Sequence, residues 1–88
     1  MRLHVVTYDL DKPGQNYPAI IGRLRQLGAT HVQLSQWMLW SNMTAIEMRD
    51  DLMRYTDAND LLLVIDATNA PMAWTKLKVE IKSALNIT

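Results

Sequence analysis

Residues 61–65 are five consecutive apolar residues bounded by Asp60 and Asp66, and this run constrains the fold more than any other segment. A short apolar run between turn residues is typical of a β-strand. Successive side chains of a strand point to opposite faces of the sheet, so both faces of this strand must be covered. One layer of helices covers one face, and we expect a C-terminal helix or a second subunit to cover the other.

A second predicted strand begins at Leu3 and ends at Asp9, because residues 11–14 read Asp-Lys-Pro-Gly and break regular structure. A carboxylate at a strand end is held by a rigid element and can still reach solvent, a metal or a partner. Asp9 is therefore the candidate for chemistry. The alternative is that Asp9 only opens the turn, since aspartate often hydrogen-bonds locally at such positions.

Apolar spacing and capping residues predict two helices between the strands. Residues 18–27 are amphipathic at helical spacing, and Gly28 ends that helix. Thr44 and Glu47 form a capping box at the start of the second helix. The predicted strands are residues 3–9, 30–34, 36–41 and 61–65.

This order of elements is that of the ferredoxin-like fold, an α+β arrangement βαββαβ. It predicts a four-stranded antiparallel sheet with two helices on one face, plus a C-terminal helix. We expect a single domain, 1–88, with a core over residues 1–67 and a C-terminal helical extension over residues 69–86. Helical spacing within 71–85 indicates that this extension docks its apolar side chains on the domain or on a partner. These side chains are Trp74, Leu77 and Ile81.

The face of the sheet without helices is also apolar, because three of the strands carry apolar residues on both sides. An uncovered apolar face of this kind is an association surface. The pattern predicts a stable homodimer that buries Val6, Tyr8 or the Trp40 side of the sheet.

Composition excludes several classes of protein. The 88 residues contain no cysteine and two histidines, which rules out disulfides and makes a zinc cage implausible. Nine basic residues balance nine acidic ones, so the chain does not resemble a protein that coats nucleic acid or an anionic membrane. There is no apolar run of membrane-spanning length and no leader pattern, and we expect a soluble, cytoplasmic protein without a membrane partner.

The remaining titratable residues have simpler interpretations. His4 and His31 lie on predicted strands, where a histidine is more often a packed or surface residue than a catalytic base. The charged residues of the second helix form a solvated face. Asp60 opens a turn, and the role of Asp66 is left open.

A series of short motifs along residues 1–67 resembles one known family. The order is similar to that of the small CRISPR-associated protein that partners the spacer integrase. The resemblance is closer still to the stand-alone bacterial relatives of that protein. The motifs are Tyr8-Asp9-Leu10, Pro13-Gly14, Tyr17, Ser35-Gln36-Trp37, Met48-Arg49-Asp50 and Asp57-Ala58-Asn59-Asp60-Leu61-Leu62.

The resemblance implies a homodimer with facing sheets, in which Asp9 of each subunit lies near the dimer axis. There the two carboxylates would hold one Mg²⁺ for phosphodiester hydrolysis of RNA or DNA. Magnesium favours carboxylate oxygens, keeps several waters and activates one of them as a nucleophile. The chain departs from the family in having only Lys12 as a basic residue in the loop after Asp9. It also replaces the family's C-terminal strand with a predicted helix after Pro71.

Three functions are consistent with these observations. The first is a metal-dependent endonuclease acting as a homodimer through Asp9. The second is a non-catalytic homodimer that binds a protein or a nucleic acid as an adaptor. The third is a toxin-like ribonuclease, as in the virulence-associated protein D family of similar fold. The fold alone does not separate them, because ferredoxin-like sheets host many functions.

Overall fold

The computed structural model describes residues 1–10 and 17–87, so the predicted Pro13-Gly14 turn and Lys12 lie outside the described residues. No helix in the described part is long and apolar enough to cross a membrane. The elements are β1 (Arg2–Asp9), α1 (Tyr17–Gln26), β2 (Thr30–Gln33), β3 (Gln36–Ser41), α2 (Ala45–Met53), β4 (Leu61–Asp66) and α3 (Val79–Leu85).

The four strands form one antiparallel sheet in the order β2-β3-β1-β4. β1 lies inside the sheet and pairs with β3 on one side and β4 on the other, while β2 and β4 form the two edges. This topology confirms the predicted α+β, ferredoxin-like class with a C-terminal helix. The element bounds agree with the predicted ones to within a residue or two as far as β4.

The helices α1 and α2 pack on one face of the sheet, which we call the inner face. Val6 and Tyr8 of β1 point to this face and are buried in the core beneath the helices. The prediction that a dimer buries Val6 or Tyr8 is therefore wrong, because strand alternation directs both side chains toward α1 and α2. The main buried cluster comprises Val6, Tyr8, Leu10, Ile20, Leu24, Trp37, Leu39, Met48 and Leu52.

The capping box at the start of α2 is confirmed. The Glu47 backbone N–H donates to Thr44 Oγ1 at 3.2 Å, and the Thr44 N–H donates to Glu47 Oε1 at 2.9 Å. These hydrogen bonds to Thr44 lower the pKa of Glu47. The box satisfies amides that the first turn of a helix leaves without partners, and so fixes where α2 begins.

An ion pair joins the two inner-face helices. Arg23 of α1 donates from Nε and Nη2 to the two carboxylate oxygens of Asp51 on α2, at 2.8 and 2.6 Å. Arg54 approaches the same carboxylate at 3.5 Å. The Asp51 side chain is 11 % exposed, and the hydrogen bonds from Arg23 lower its pKa. Because the folded-state pKa lies below the unfolded one, Asp51 stabilises the fold above about pH 4, and this contribution is lost as pH falls through the folded-state pKa.

Asp51→Asn should therefore lower the free energy of unfolding by about 1.5 to 3 kcal/mol at pH 7, since it removes the charge that accepts from Arg23. Urea unfolding followed by circular dichroism measures the difference. The difference should shrink as the pH falls below about 4 and through the lowered folded-state pKa of Asp51, where the native carboxylate becomes protonated. Asp50→Asn is the matched control, because the exposed Asp50–Arg49 pair contributes little. A loss from Asp51→Asn no larger than that control would contradict the prediction.

The opposite side of the sheet, the outer face, is partly covered by α3. Leu85 of α3 is 2 % exposed and packs against Leu3 of β1 and Met38 of β3. The indole Nε1–H of Trp40 donates to the Leu85 carbonyl at 2.8 Å. The C-terminal helix α3 thus covers part of the outer face, as α1 and α2 cover the inner face.

The predicted helix over residues 71–85, in an extension over 69–86, is wrong for residues 69–78. Asn69 and Lys76 both have φ of 59°, and this left-handed conformation interrupts a right-handed α-helix. Residues 69–78, which we call the strap, instead cross the sheet without helical structure before α3 begins. Trp74 stays partly exposed, and Leu77 and Ile81 are half-buried.

Candidate functional site

Asp9 is the last residue of β1 and is paired with Leu61 of β4. Strand alternation places Asp9 on the same side of the sheet as Leu3 and Val5, which is the outer face. Its side chain is exposed, and it forms no hydrogen bond or ion pair with any other described residue. A rigid strand therefore presents this carboxylate to solvent, with neither oxygen bonded to another residue of 1–10 or 17–87.

An apolar stripe lies beside Asp9 on the same face. Leu61, Leu63 and Ile65 of β4 are between 48 % and 55 % exposed, and we call these three residues the stripe. Leu61 and Leu63 are the ladder partners of Asp9 and Thr7. The inward-pointing residues of β4 pack against the core, so only one of the two faces of this strand is covered.

Neither histidine contacts Asp9. His4 is fully buried near the other end of β1, where its Nε2–H donates to the Met43 carbonyl at 2.8 Å and Nδ1 has no partner. His31 is at the exposed edge of β2, stacks on the Trp37 ring at 4.6 Å and donates from Nε2 to the Leu34 carbonyl. His4 therefore packs in the interior, and His31 lies at the surface.

The two aspartates that flank β4 have structural partners. Asp60 Oδ2 accepts from the Asp57 N–H at 2.6 Å, which confirms its role in the turn. Asp66 accepts from both the side chain and the backbone of Thr68, at 2.6 and 3.0 Å, and from Arg2 at 2.7 Å. These contacts, chiefly those from Thr68, hold the pKa of Asp66 well below its usual range. The threonine two residues after Asp66 is the sequence signal of this local bond.

Within residues 1–10 and 17–87, no three histidine or carboxylate side chains lie close enough together to hold a metal ion. A single carboxylate is a poor site by itself, but Mg²⁺ commonly binds one or two carboxylates together with water and substrate oxygens. The donor chemistry fits magnesium if a second copy supplies a second Asp9.

Sequence reasoning missed two lysines on the strap. Lys76 and Lys78 line a groove of about 300 Å³ against His31 of β2. The available signal was the absence of acidic residues from 67 to 79. Both lysines lie within the helix predicted over residues 71–85, and that prediction gave no reason to expect a groove.

The outer face therefore brings together an exposed carboxylate, an uncovered apolar stripe and a groove with basic side chains. Each feature comes from a different part of the chain, namely the end of β1, the edge strand β4 and the strap. A comparison of the sequence with models of known protein families found no match.

Proposed function

We propose that the protein is a homodimeric, Mg²⁺-dependent endonuclease that acts on RNA or DNA through Asp9 of each subunit. The observation that carries this proposal is the position of Asp9. It is exposed and without a polar partner among the described residues, and it adjoins the uncovered stripe on the outer face. The similarity of the motif order to the CRISPR-associated family supports the same assignment.

The stripe supports the dimer. In a twofold-symmetric dimer the same patch is buried on both subunits, so an apolar surface can cover its own copy. Asp9 adjoins the stripe across the β1–β4 ladder, and a twofold axis near it would bring two carboxylates together. Two such carboxylates repel one another, and a divalent cation relieves that repulsion.

The chain's own residues would hold the metal and leave room for the substrate. Neither oxygen of Asp9 is bonded to another described residue, and the end of a paired strand holds the Asp9 backbone in place. Bound magnesium would supply a Lewis acid for a phosphoryl oxygen and lower the pKa of a bound water. Exposure of Asp9 at the sheet end lets a phosphodiester reach it from solvent.

The second candidate is a non-catalytic homodimer that binds a protein or nucleic acid. It is favoured by the absence, within residues 1–10 and 17–87, of any group of three histidine or carboxylate side chains that could hold a metal ion. The toxin-like ribonuclease would cleave RNA alone, so cleavage of DNA would exclude it.

Asp9→Asn should lower the cleavage rate by about 100-fold or more, because it removes the charge that holds the metal while keeping the shape of the side chain. The assay uses single-stranded RNA and double-stranded DNA with Mg²⁺, Mn²⁺ or EDTA. Asp50→Asn, which alters an exposed carboxylate on α2, is the control and should keep native activity. A thermal melt of each variant establishes that the fold is retained.

Equal cleavage by Asp9→Asn and the native protein would assign the activity to another site or to a contaminant. If the native protein cleaves neither substrate and Mg²⁺ leaves its melting temperature unchanged, the non-catalytic dimer becomes the better assignment.

A further inference from the structure

Charge is unevenly distributed across the sheet, although the chain is neutral. Residues 17–46 and 67–79 contain no acidic residue. Among the described arginines and lysines, four have no ion pair with a described carboxylate, and the three lysines among them lie on the strap or on α3, which pack against β2. These four are Arg25, Lys76, Lys78 and Lys82.

The strap and β2 enclose a basic groove. Lys76, Lys78 and Thr75 form one wall of the 300 Å³ groove, and His31 and Gln33 of β2 form the other. None of the described carboxylates lines it, and both lysine side chains are exposed. Ammonium groups that face an open groove without a counter-charge favour an anionic ligand such as a phosphate.

An aromatic groove of about 600 Å³ adjoins the basic one. The two share Val32, Gln33, Thr75 and Leu77, so they are continuous along the strap. Trp74, which is 39 % exposed, lines the larger groove. Phosphate-binding cations next to an accessible indole are the combination that single-stranded nucleic acids require, because each nucleotide offers a charged backbone and a stacking base. A duplex hides its bases and cannot use Trp74 in this way.

The larger groove leads toward Asp9 on the same face. Gln36 lines the groove and is the ladder partner of Thr7, which is two residues before Asp9 on β1. Strand spacing and rise place the Gln36 and Asp9 Cα atoms about 8 Å apart. A strand held under the strap could therefore continue to the carboxylate without leaving the outer face.

Building on the proposed function, we propose that the strap groove binds single-stranded nucleic acid. Lys76 and Lys78 contact phosphates, and Trp74 stacks on a base.

Fluorescence anisotropy of a labelled oligonucleotide of about 12 nucleotides tests the groove, with EDTA present so that nothing is cleaved. The full-length protein is titrated with single-stranded RNA, single-stranded DNA and a duplex of the same length. Lys76→Gln/Lys78→Gln should weaken single-strand binding about 10-fold or more and reduce the slope of log affinity against log salt by about 1.4. Trp74→Ala should weaken binding about 5- to 100-fold and leave that slope unchanged.

Arg49→Gln is the matched control, because Arg49 is an exposed, paired cation on α2, and it should bind as the native protein does. Unchanged binding by the lysine and tryptophan variants, tighter binding of the duplex, or no binding by the native protein would overturn the proposal. Binding of polyglutamate as tight as that of RNA, with no effect of Trp74→Ala, would overturn it in favour of an acidic protein partner.

The result also separates the groove from the nuclease. If Asp9→Asn binds normally and the groove variants do not, while the native protein cleaves nothing, the groove proposal stands and the catalytic one fails. If cleavage depends on Asp9 but the groove variants bind and cleave normally, the reverse holds.

Discussion

Leu63→Lys should be a monomer of about 10 kDa at concentrations where the native protein is a dimer. Leu63 is in the middle of the stripe. A twofold-symmetric interface through the stripe would contain two copies of the introduced lysine, one from each subunit. Each lost leucine removes about 1.5 to 3 kcal/mol of apolar burial, and each introduced ammonium must also lose its hydration. We expect the dissociation constant to rise at least about 100-fold, measured by light scattering across a micromolar concentration series.

Ile46→Lys is the matched control for that variant. Ile46 is an exposed apolar residue on α2, and its replacement by lysine should leave the native mass unchanged. A native mass that stays near the chain's own 10.1 kDa at micromolar concentration would refute the dimer. A dimer that survives Leu63→Lys would place the interface elsewhere and remove the reason to bring two Asp9 carboxylates together.

Leu85→Ala should lower the free energy of unfolding by about 2 to 5 kcal/mol, because the side chain is fully buried against Leu3 and Met38. For a domain of this size that loss is a large share of total stability and lowers the melting temperature by more than about 8 °C. Val79→Ala, an exposed position in the same helix, is the control. Thermal and urea unfolding measure both variants.

A chain that ends at Thr68 extends the same test. It keeps the Thr68 hydroxyl, which accepts from the Leu3 N–H, but loses α3 and the Leu85 carbonyl to which Trp40 donates. We expect this chain to melt at least as low as Leu85→Ala and to aggregate more readily, since the outer face is then uncovered. Native-like melting of either variant would show that α3 contributes little to the domain.

Local signals identified the elements of the core. The capping box of Thr44 and Glu47 defines the start of α2 through two specific hydrogen bonds. Gly28 has φ of 80°, a conformation that glycine adopts without strain, and it lies two residues after the end of α1. These features are encoded within a few residues, so the sequence alone was enough to predict them.

The strap could not be predicted in the same way. Apolar side chains at helical spacing also occur in a segment that lies across a sheet, and the left-handed conformation of Lys76 is not typical of its residue type. The prediction that a dimer buries Val6 or Tyr8 of β1 failed for a related reason. Val5 and Val6 are equally apolar, so only the packing of α1 and α2 determines that Val6 points inward.

The candidate site was predicted in part. A carboxylate at a strand end was enough to single out Asp9, since the following Pro-Gly loop is visible in the sequence. The basic groove was not visible, because net charge averages over the whole chain and the fold separates its cations from its carboxylates. Only the structure brings His31 next to Lys76 and Lys78.

The contacts of Asp66 and Leu85 have a consequence for how the strap behaves. Thr68, before the strap, is tied to Asp66 and Leu3, and α3 after it is fixed by Leu85. Residues 69–78 are therefore a loop closed at both ends and not a free tail. The fold has already confined this segment, so a ligand that enters beneath it has less chain entropy to remove and gains affinity from that preorganisation.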